Sequence, residues 1–454
     1  MTRTVGQIEP RLSLFDTMMI VVSLVIGIGI FRTPALVAAN TGTAPKFLAA
    51  WVLGGVINLI GALTFAEIGS RAPRAGGYYK VAAECWSPVA AFMLNWAQVV
   101  MQGVGATGVA FIGAEYLLRF VQAASGSAPA AFSPAAVPWT AAALLAGLLA
   151  ISFAGIRAGA RLQNVLSIAK GVMILGLAAA AFTLAPRAEP GAAAVGPAIT
   201  NHGFLAALVA VFYTYGGYQC TMNVAGDVRD ARRNLPRAVT LGMVIVTLLY
   251  VGINAGYMHA LGPAGVAAEK LVAAGLARVC FGTAGEAVIS VAIFLSAAGF
   301  VNATILQVPR SYLAMAQDGA LPAAFARVNP RTQAQTVGLA FLGFTSLIAV
   351  PFLGSFDKLV GYVMFTDSLM VAAVAACIFV LRRRAGKTAT SQAEPAAVFR
   401  MPGYPWLPGL FVACLTGLAV QIAITQTRLA LAGTGVLLVG FPLYHALRRT
   451  SRTA

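Results

Sequence analysis

Residues 18–34 read MMIVVSLVIGIGIFRTP, and this stretch decides the architecture. An apolar run able to enter a bilayer is interrupted near its middle by Gly27 and Gly29 and followed by Pro34. Residues 204–220 read FLAALVAVFYTYGGYQC and carry Gly216 and Gly217 at the matching place. Gly27 and Gly216 each fall 13 residues after the start of their apolar runs, at residues 14 and 203. Glycine also serves close helix packing in membranes, so either pair alone is a weak signal. Glycine breaks at corresponding places in two halves point to discontinuous helices around a transport site.

The rest of the chain fits such a frame. It has 454 residues, of which 59% are hydrophobic and 10% charged. Soluble domains carry about 25% charged residues, so a water-facing globular surface is excluded. Disorder is excluded by the same apolar content. Crossing a bilayer takes about 20 apolar residues as helix. Twelve stretches qualify: 14–38, 45–69, 88–120, 137–154, 162–184, 203–226, 237–259, 281–308, 336–353, 357–381, 404–426 and 429–447. They leave little chain for a separate soluble domain, so residues 1–454 read as one transmembrane unit. The short polar segment before residue 14 predicts no cleavable leader.

The net charge of +17 is explained by topology. With the N-terminus cytoplasmic, 22 of the 31 basic residues fall in cytoplasmic segments, eight fall on the other side, and Lys170 lies inside a span. This positive-inside bias predicts cytoplasmic termini in the plasma (inner) membrane and needs no nucleic-acid partner. Five cysteines and three histidines show no ligand spacing, so neither a metal, a cofactor nor a disulfide framework is expected. No paired carboxylates, HExxH or GxSxG suggest an enzyme. No repeated polar rings suggest a channel.

An offset of five spans between the glycine pairs predicts a 5+5 repeat, residues 12–185 and 203–385, followed by two further helices over 402–447. Five is odd, so the second copy enters from the opposite side and the repeat is inverted. Each break frees backbone groups, which a membrane tolerates only in protein or facing a wet cavity. Free N–H groups at a half-helix start favour an anion, and free carbonyls at a half-helix end favour a cation. Two such breaks side by side suit a zwitterion.

Seven segments in chain order then resemble one family. They are IGIGIFRTP (26–34), RAPRAGGYYKVA (71–82), GIRAGARLQNVLSIAK (155–170), TYGGYQ (214–219), DVRDARRNLPRA (227–238), LQVPRSYLAMAQDGALP (306–322) and FRMPGYPWLPGLF (399–411). Over about residues 12–425 the chain resembles the amino acid–polyamine–organocation (APC) superfamily, and within it the L-type amino acid transporters and their bacterial relatives. The resemblance implies an all-α, LeuT-like fold and secondary amino acid transport by alternating access. It implies a site at Gly27, Ile28, Gly29, Ile30, Tyr213, Thr214, Gly216 and Gly217. The N–H groups of Ile28, Gly29 and Ile30 would hold the substrate carboxylate, and the carbonyls of Tyr213, Thr214 and Gly216 its ammonium. Tyr213 occupies the family's aromatic gate position. Ile28 departs from the pattern, since the family often has a small or hydroxyl residue there. Animal L-type transporters use a cysteine in the loop before helix 4 to join a heavy chain. SGSAPAAFSP (125–134) has none, so a stand-alone chain is implied.

Ionisable groups inside spans are costly and point to function. Lys170 has no acidic neighbour within a helical turn. Related sodium-independent permeases place a lysine there in the role of a sodium ion. That implies a Lys170 ammonium on the carbonyl freed near Gly27 and on the Ser296 hydroxyl. The other reading is a lysine snorkelling to the cytoplasmic face. Arg32 is read first as reaching the outer headgroups or pairing with Glu115, and second as drawing anions into an outer vestibule. Asp367 is a gate or an interhelical pairing group. Gln98 and Gln102 read first as interhelical glue, with the two able to face a cavity, and Glu67 as structural; Asn302 shares its span with Ser296, which is the better candidate for contact with the site. No acidic residue stands near the glycine breaks in sequence, which favours neutral over cationic amino acids.

Overall fold

The computed structural model describes residues 9–71, 73–125, 133, 135–188, 201–269, 271–350, 356–388, 398–425 and 427–453. The described residues are helical, with no β-strand; a parallel bridge joins Leu12 to Val228. The helices are α1 (Leu14–Val25), α2 (Gly29–Thr41), α3 (Ala44–Arg71), α4 (Gly77–Cys85), α5 (Pro88–Ala124), α6 (Ala136–Phe153), α7 (Ile156–Thr183) and α8 (Asn201–Thr214). They continue with α9 (Ala231–Ala268), α10 (Val272–Phe281), α11 (Gly285–Gln317), α12 (Thr336–Ala349), α13 (Phe356–Thr388), α14 (Trp406–Thr425) and α15 (Thr427–Thr453). A 3-10 segment, Tyr218–Asp227, follows α8.

Eight helices among the described residues are long and apolar enough to cross a membrane, or nine if the bent pair α1–α2 counts as one span. That pair turns by 46° at the Gly27 break. The predicted edges need correction in places. The 237–259 segment is part of α9, which runs over Ala231–Ala268 and is interrupted at Gly262 (φ 64°). The span expected over 162–184 starts earlier, being helical from Ile156 to Thr183. Helices α4 and α10 were not expected at all, because each is too short for a membrane-length apolar window.

Local chemistry sets several ends. Ser13 caps α1 in a reciprocal box with Asp16, which satisfies donors that a helix start leaves free. Ser87 caps α5 with Pro88 in its first turn. Gly42, at φ 65°, closes α2 in the left-handed conformation. The main apolar core runs from α1, α2 and α3 through α8, α9 and α13, and includes the fully buried rings of Trp51, Tyr215 and Tyr250. Helix α11 packs along α5 and α7, and α3 along α9.

One end of the bundle is tied by polar contacts. Arg11 and Leu12 donate their N–H groups to Asp227 O at 2.7 and 2.8 Å. Buried Asp227 is paired with Arg310 at 2.9 Å. Nearby, the carboxylate of Glu67 is fully buried and held from three directions. It takes Arg71 (2.7 Å), Arg382 (2.6 Å) and the Met401 N–H (2.7 Å), joining α3, α13 and the segment before α14. The expected structural role of Glu67 matches this geometry.

Candidate site at two broken helices

The α1–α2 break exposes the groups that its sequence suggests. Gly27, Ile28 and Gly29 are half-buried, although Ile26 and Ile30 on either side are fully buried. A Cβ on Gly27 would meet nothing within 4 Å, so the break borders open space. Gly29 and Ile30 open α2 and Ile28 precedes it, and none of the three N–H groups finds an acceptor among the described residues. Three unpaired donors at a helix start are an arrangement that favours an anion.

The carbonyl side of the same break is occupied. Lys170, 1% exposed, reaches from α7 and donates to Ser23 O (3.1 Å), Ser23 Oγ (2.6 Å) and Ile26 O (3.0 Å). Ser296 of α11 approaches Ile26 O (3.1 Å) and Gly27 O (3.2 Å). The hydroxyl that meets the ammonium is therefore that of Ser23, not of Ser296 as expected. The two side chains share the Ile26 carbonyl instead. A snorkelling Lys170 does not fit this burial. The ammonium is tolerated inside the membrane because three oxygens of α1 and its break replace water around it.

The second break is built differently. Gly217 has φ 117°, a left-handed value that side chains rarely adopt, and a Cβ there would stand 2.5 Å from Leu24 O. Close approach of α1 thus dictates glycine at this position. The three carbonyls expected to hold an ammonium are not equivalent. Tyr213 O accepts from Gly216 N–H (3.1 Å), and Thr214 O faces Tyr250 Oη (3.4 Å). Gly216 O takes no donor among the described residues. The Tyr250 hydroxyl also donates to Val25 O at 3.0 Å, so one side chain of α9 touches both breaks.

The remaining candidates sort themselves by their contacts. The half-buried Tyr213 places its hydroxyl 2.6 Å from Ser368 Oγ on α13. Arg32 is exposed and has no ion pair among the described residues; Glu115 pairs with Arg119 instead, one turn along α5. Asn302 bonds Gly159 O and Gln163 Oε1, which is interhelical glue. Gln98 and Gln102 both donate to the Cys220 thiol at 3.6 Å. Asp367 directly precedes Ser368, the α13 residue whose hydroxyl meets Tyr213. The loop 126–132, on which the heavy-chain expectation rests, lies outside the described residues, as does Pro134. No group of three or more metal-ligating side chains occurs among the described residues.

The amino acid permease family profile matches residues 12–441. The serine/threonine exchanger SteT of Bacillus subtilis is 28% identical over 97% of this chain and 98% of its own. The large neutral amino acids transporter small subunit 2 of Mus musculus is 26% identical over 83% of this chain and 71% of its own. The Asc-type amino acid transporter 1 of Homo sapiens is 25% identical over 96% and 82%. With that match across the chain, and with the two half-helix ends described above, the protein belongs to the amino acid permeases of the APC superfamily, multi-pass membrane transporters.

Proposed function

We propose that the protein is a sodium-independent secondary transporter of neutral L-amino acids, working by alternating access as an exchanger or uniporter in the plasma membrane. It crosses the bilayer twelve times with both termini cytoplasmic, as a 5+5 inverted repeat plus two helices. The substrate carboxylate binds the N–H groups of Ile28, Gly29 and Ile30, and its ammonium the carbonyl side around Gly216. The names of the similar proteins, one an exchanger of serine and threonine and one a transporter subunit for large neutral amino acids, support neutral amino acids as the substrate class. They support exchange as the transport mode.

The observation that carries sodium independence is Lys170. A cation needed to neutralise the carbonyl end of the first half-helix is already present as a side chain, in contact with Ser23 and Ile26. A sodium ion at that place would meet a fixed positive charge a few ångströms away, and like charges at that distance repel strongly. Uptake of labelled amino acids into proteoliposomes in sodium and in choline buffer tests this. Equal rates are expected, and strict sodium dependence overturns the assignment. One observation favours a second reading, proton coupling: Lys170 has no carboxylate partner, only oxygen dipoles, so its charge is free to change during a cycle. Uptake that rises at acid pH, and loses that response in Lys170→Ala, selects this second reading.

A further inference from the structure

Six exposed arginines crowd the end of the bundle where α1, α7 and α9 begin. Arg157 and Arg161 lie in the first turns of α7, Arg229 just before α9, and Arg232, Arg233 and Arg237 in the first turns of α9. Close contacts hold the three helix starts together. Asn164 of α7 donates to Asp16 of α1 at 2.6 Å, and the Arg229 N–H to Leu12 O at 2.9 Å. Leu12, Ile156, Val228 and Ala231 pack in one buried cluster. None of the six guanidinium groups makes a hydrogen bond or ion pair among the described residues. Of the nearby acids, Asp16 is taken by Ser13 and Asn164, and Asp227 is paired with Arg310. Exposed Asp230 is left against six positive charges. The positive-inside bias accounts for the side on which these arginines stand, and not for this convergence.

The same faces turn apolar beyond the arginines. On α7, Arg157, Arg161, Val165, Ile168, Val172 and Leu175 succeed one another three or four residues apart, which is one helix face, and all are exposed. On α9, Arg233, Arg237, Leu241, Val244 and Leu248 do the same. At this end α1 lies between the two helices. Asn164 holds its first turn on one side. On the other, α9 comes so close that a Cβ on Gly242 would stand 2.8 Å from Val21 Cγ1. Phe15, in that first turn, is exposed. Farther along, α7 and α9 meet directly, where a Cβ on Gly256 would stand 2.9 Å from Ala181 Cβ. The two helices thus bound a furrow that is closed at one end, floored by α1, and rimmed by guanidinium groups at the other. The apolar walls run about 21 Å from Arg161 to Leu175 and about 17 Å from Arg237 to Leu248, at 1.5 Å per residue. Half of a bilayer's hydrocarbon core is about 15 Å, so an acyl chain of one leaflet fits their length.

We propose that this furrow binds an anionic phospholipid. Its phosphate lies between Arg157 and Arg161 on one wall and Arg233 and Arg237 on the other, and an acyl chain runs along the apolar stripes over Phe15. Guanidinium forks match phosphate oxygens in pairs. Basic pockets between membrane helices on the cytoplasmic side recognise anionic headgroups. A zwitterionic headgroup brings its own ammonium against the arginines and gains less. The lipid rests on α1, the helix that leads into the first break, so its presence biases the position of that helix and with it the exchange rate. The inference goes beyond the transport reading above and takes from it only the orientation that turns this end to the cytoplasmic leaflet.

Native mass spectrometry of the detergent-solubilised full chain, offered phosphatidylglycerol or phosphatidylcholine, tests the site directly. The wild type is expected to prefer phosphatidylglycerol by about tenfold or more. Arg157→Gln, Arg161→Gln, Arg233→Gln and Arg237→Gln together are expected to bring the preference close to one, and the α7 pair or the α9 pair alone to remove part of it. Wild-type exchange in phosphatidylcholine proteoliposomes is expected to rise when phosphatidylglycerol is added, and the rise to vanish in the fourfold variant. Arg327→Gln with Arg383→Gln, two exposed arginines elsewhere, is expected to bind both lipids as the wild type does. Equal retention of the two lipids by the wild type overturns the site, as does an unchanged preference in the fourfold variant. An equal loss in the Arg327→Gln, Arg383→Gln protein also overturns it, because the charge then acts as a diffuse surface. Displacement of phosphatidylglycerol by millimolar inorganic phosphate overturns the lipid assignment, since the apolar furrow then contributes nothing. Binding as expected with exchange indifferent to the lipid overturns the coupling to α1. Binding as expected with no exchange of any amino acid overturns the transport reading and leaves the lipid site standing.

Discussion

The two helix breaks are nearly interchangeable in sequence and differ in construction. At the first, Gly27 borders open space and the freed carbonyls are held by a buried ammonium from α7. At the second, Gly217 is pressed against Leu24 O, and its freed carbonyls are partly used by Gly216 N–H and Tyr250. One break is held by charge and the other by shape. The first therefore keeps room beside its donors, and the second supplies the rigid surface against which α1 is set.

The contrast is broken most severely at the second site. Gly217→Ala is expected to abolish folded, monodisperse protein, since the left-handed backbone alone costs on the order of 1–3 kcal/mol and the new Cβ overlaps a carbonyl. Size-exclusion profiles of detergent-solubilised protein check this; normal yield and Tm would show that the second break tolerates shape change. Lys170→Ala should come next. It leaves the Ser23 and Ile26 carbonyls without their cation, and exchange is expected to fall by about tenfold or more with expression retained. Exchange at the wild-type rate would mean that charge does not hold the first break.

Smaller effects sharpen the comparison. Tyr250→Phe removes the hydroxyl shared by the breaks and is expected to lower stability by about 1 kcal/mol, read as a modest drop in Tm. The smallest effect belongs to Gly27→Ala, whose added methyl meets nothing. Its Tm should stay within experimental error of wild type, and only bulky substrates should lose affinity in competition assays. Gly29 is a poorer probe of the same break, because a Cβ there comes within 3.0 Å of Thr214 Cγ2 and couples α2 to α8.

Legibility follows the range of the interactions. Both breaks, the apolar segments and the lone intramembrane lysine are local patterns, and the sequence displays them directly. The geometry at Lys170 depends on a contact 147 residues away, which is why Ser296 was expected where Ser23 stands. Ser368 has no local signal that it meets the Tyr213 hydroxyl, on another helix 155 residues away. The 3-10 form of Tyr218–Asp227 was equally hidden, because the Gly76 N–H that donates to Asn223 O and the Gly77 that packs against Met222 O come from a distant segment. Arg32 lost its expected partner to a nearer guanidinium, Arg119, four residues from Glu115.

The Glu67 cluster has a consequence for the order of synthesis. Its partner Arg382 is made 315 residues later and Met401 later still. At about 5–20 residues per second, the carboxylate waits roughly 15 to 60 s for them. During that interval Arg71, one turn away on the same helix, is the neighbour the ribosome has already delivered. Arg71 is thus expected to serve as a temporary counter-ion for the nascent chain until the late guanidinium of Arg382 closes the bundle around the carboxylate.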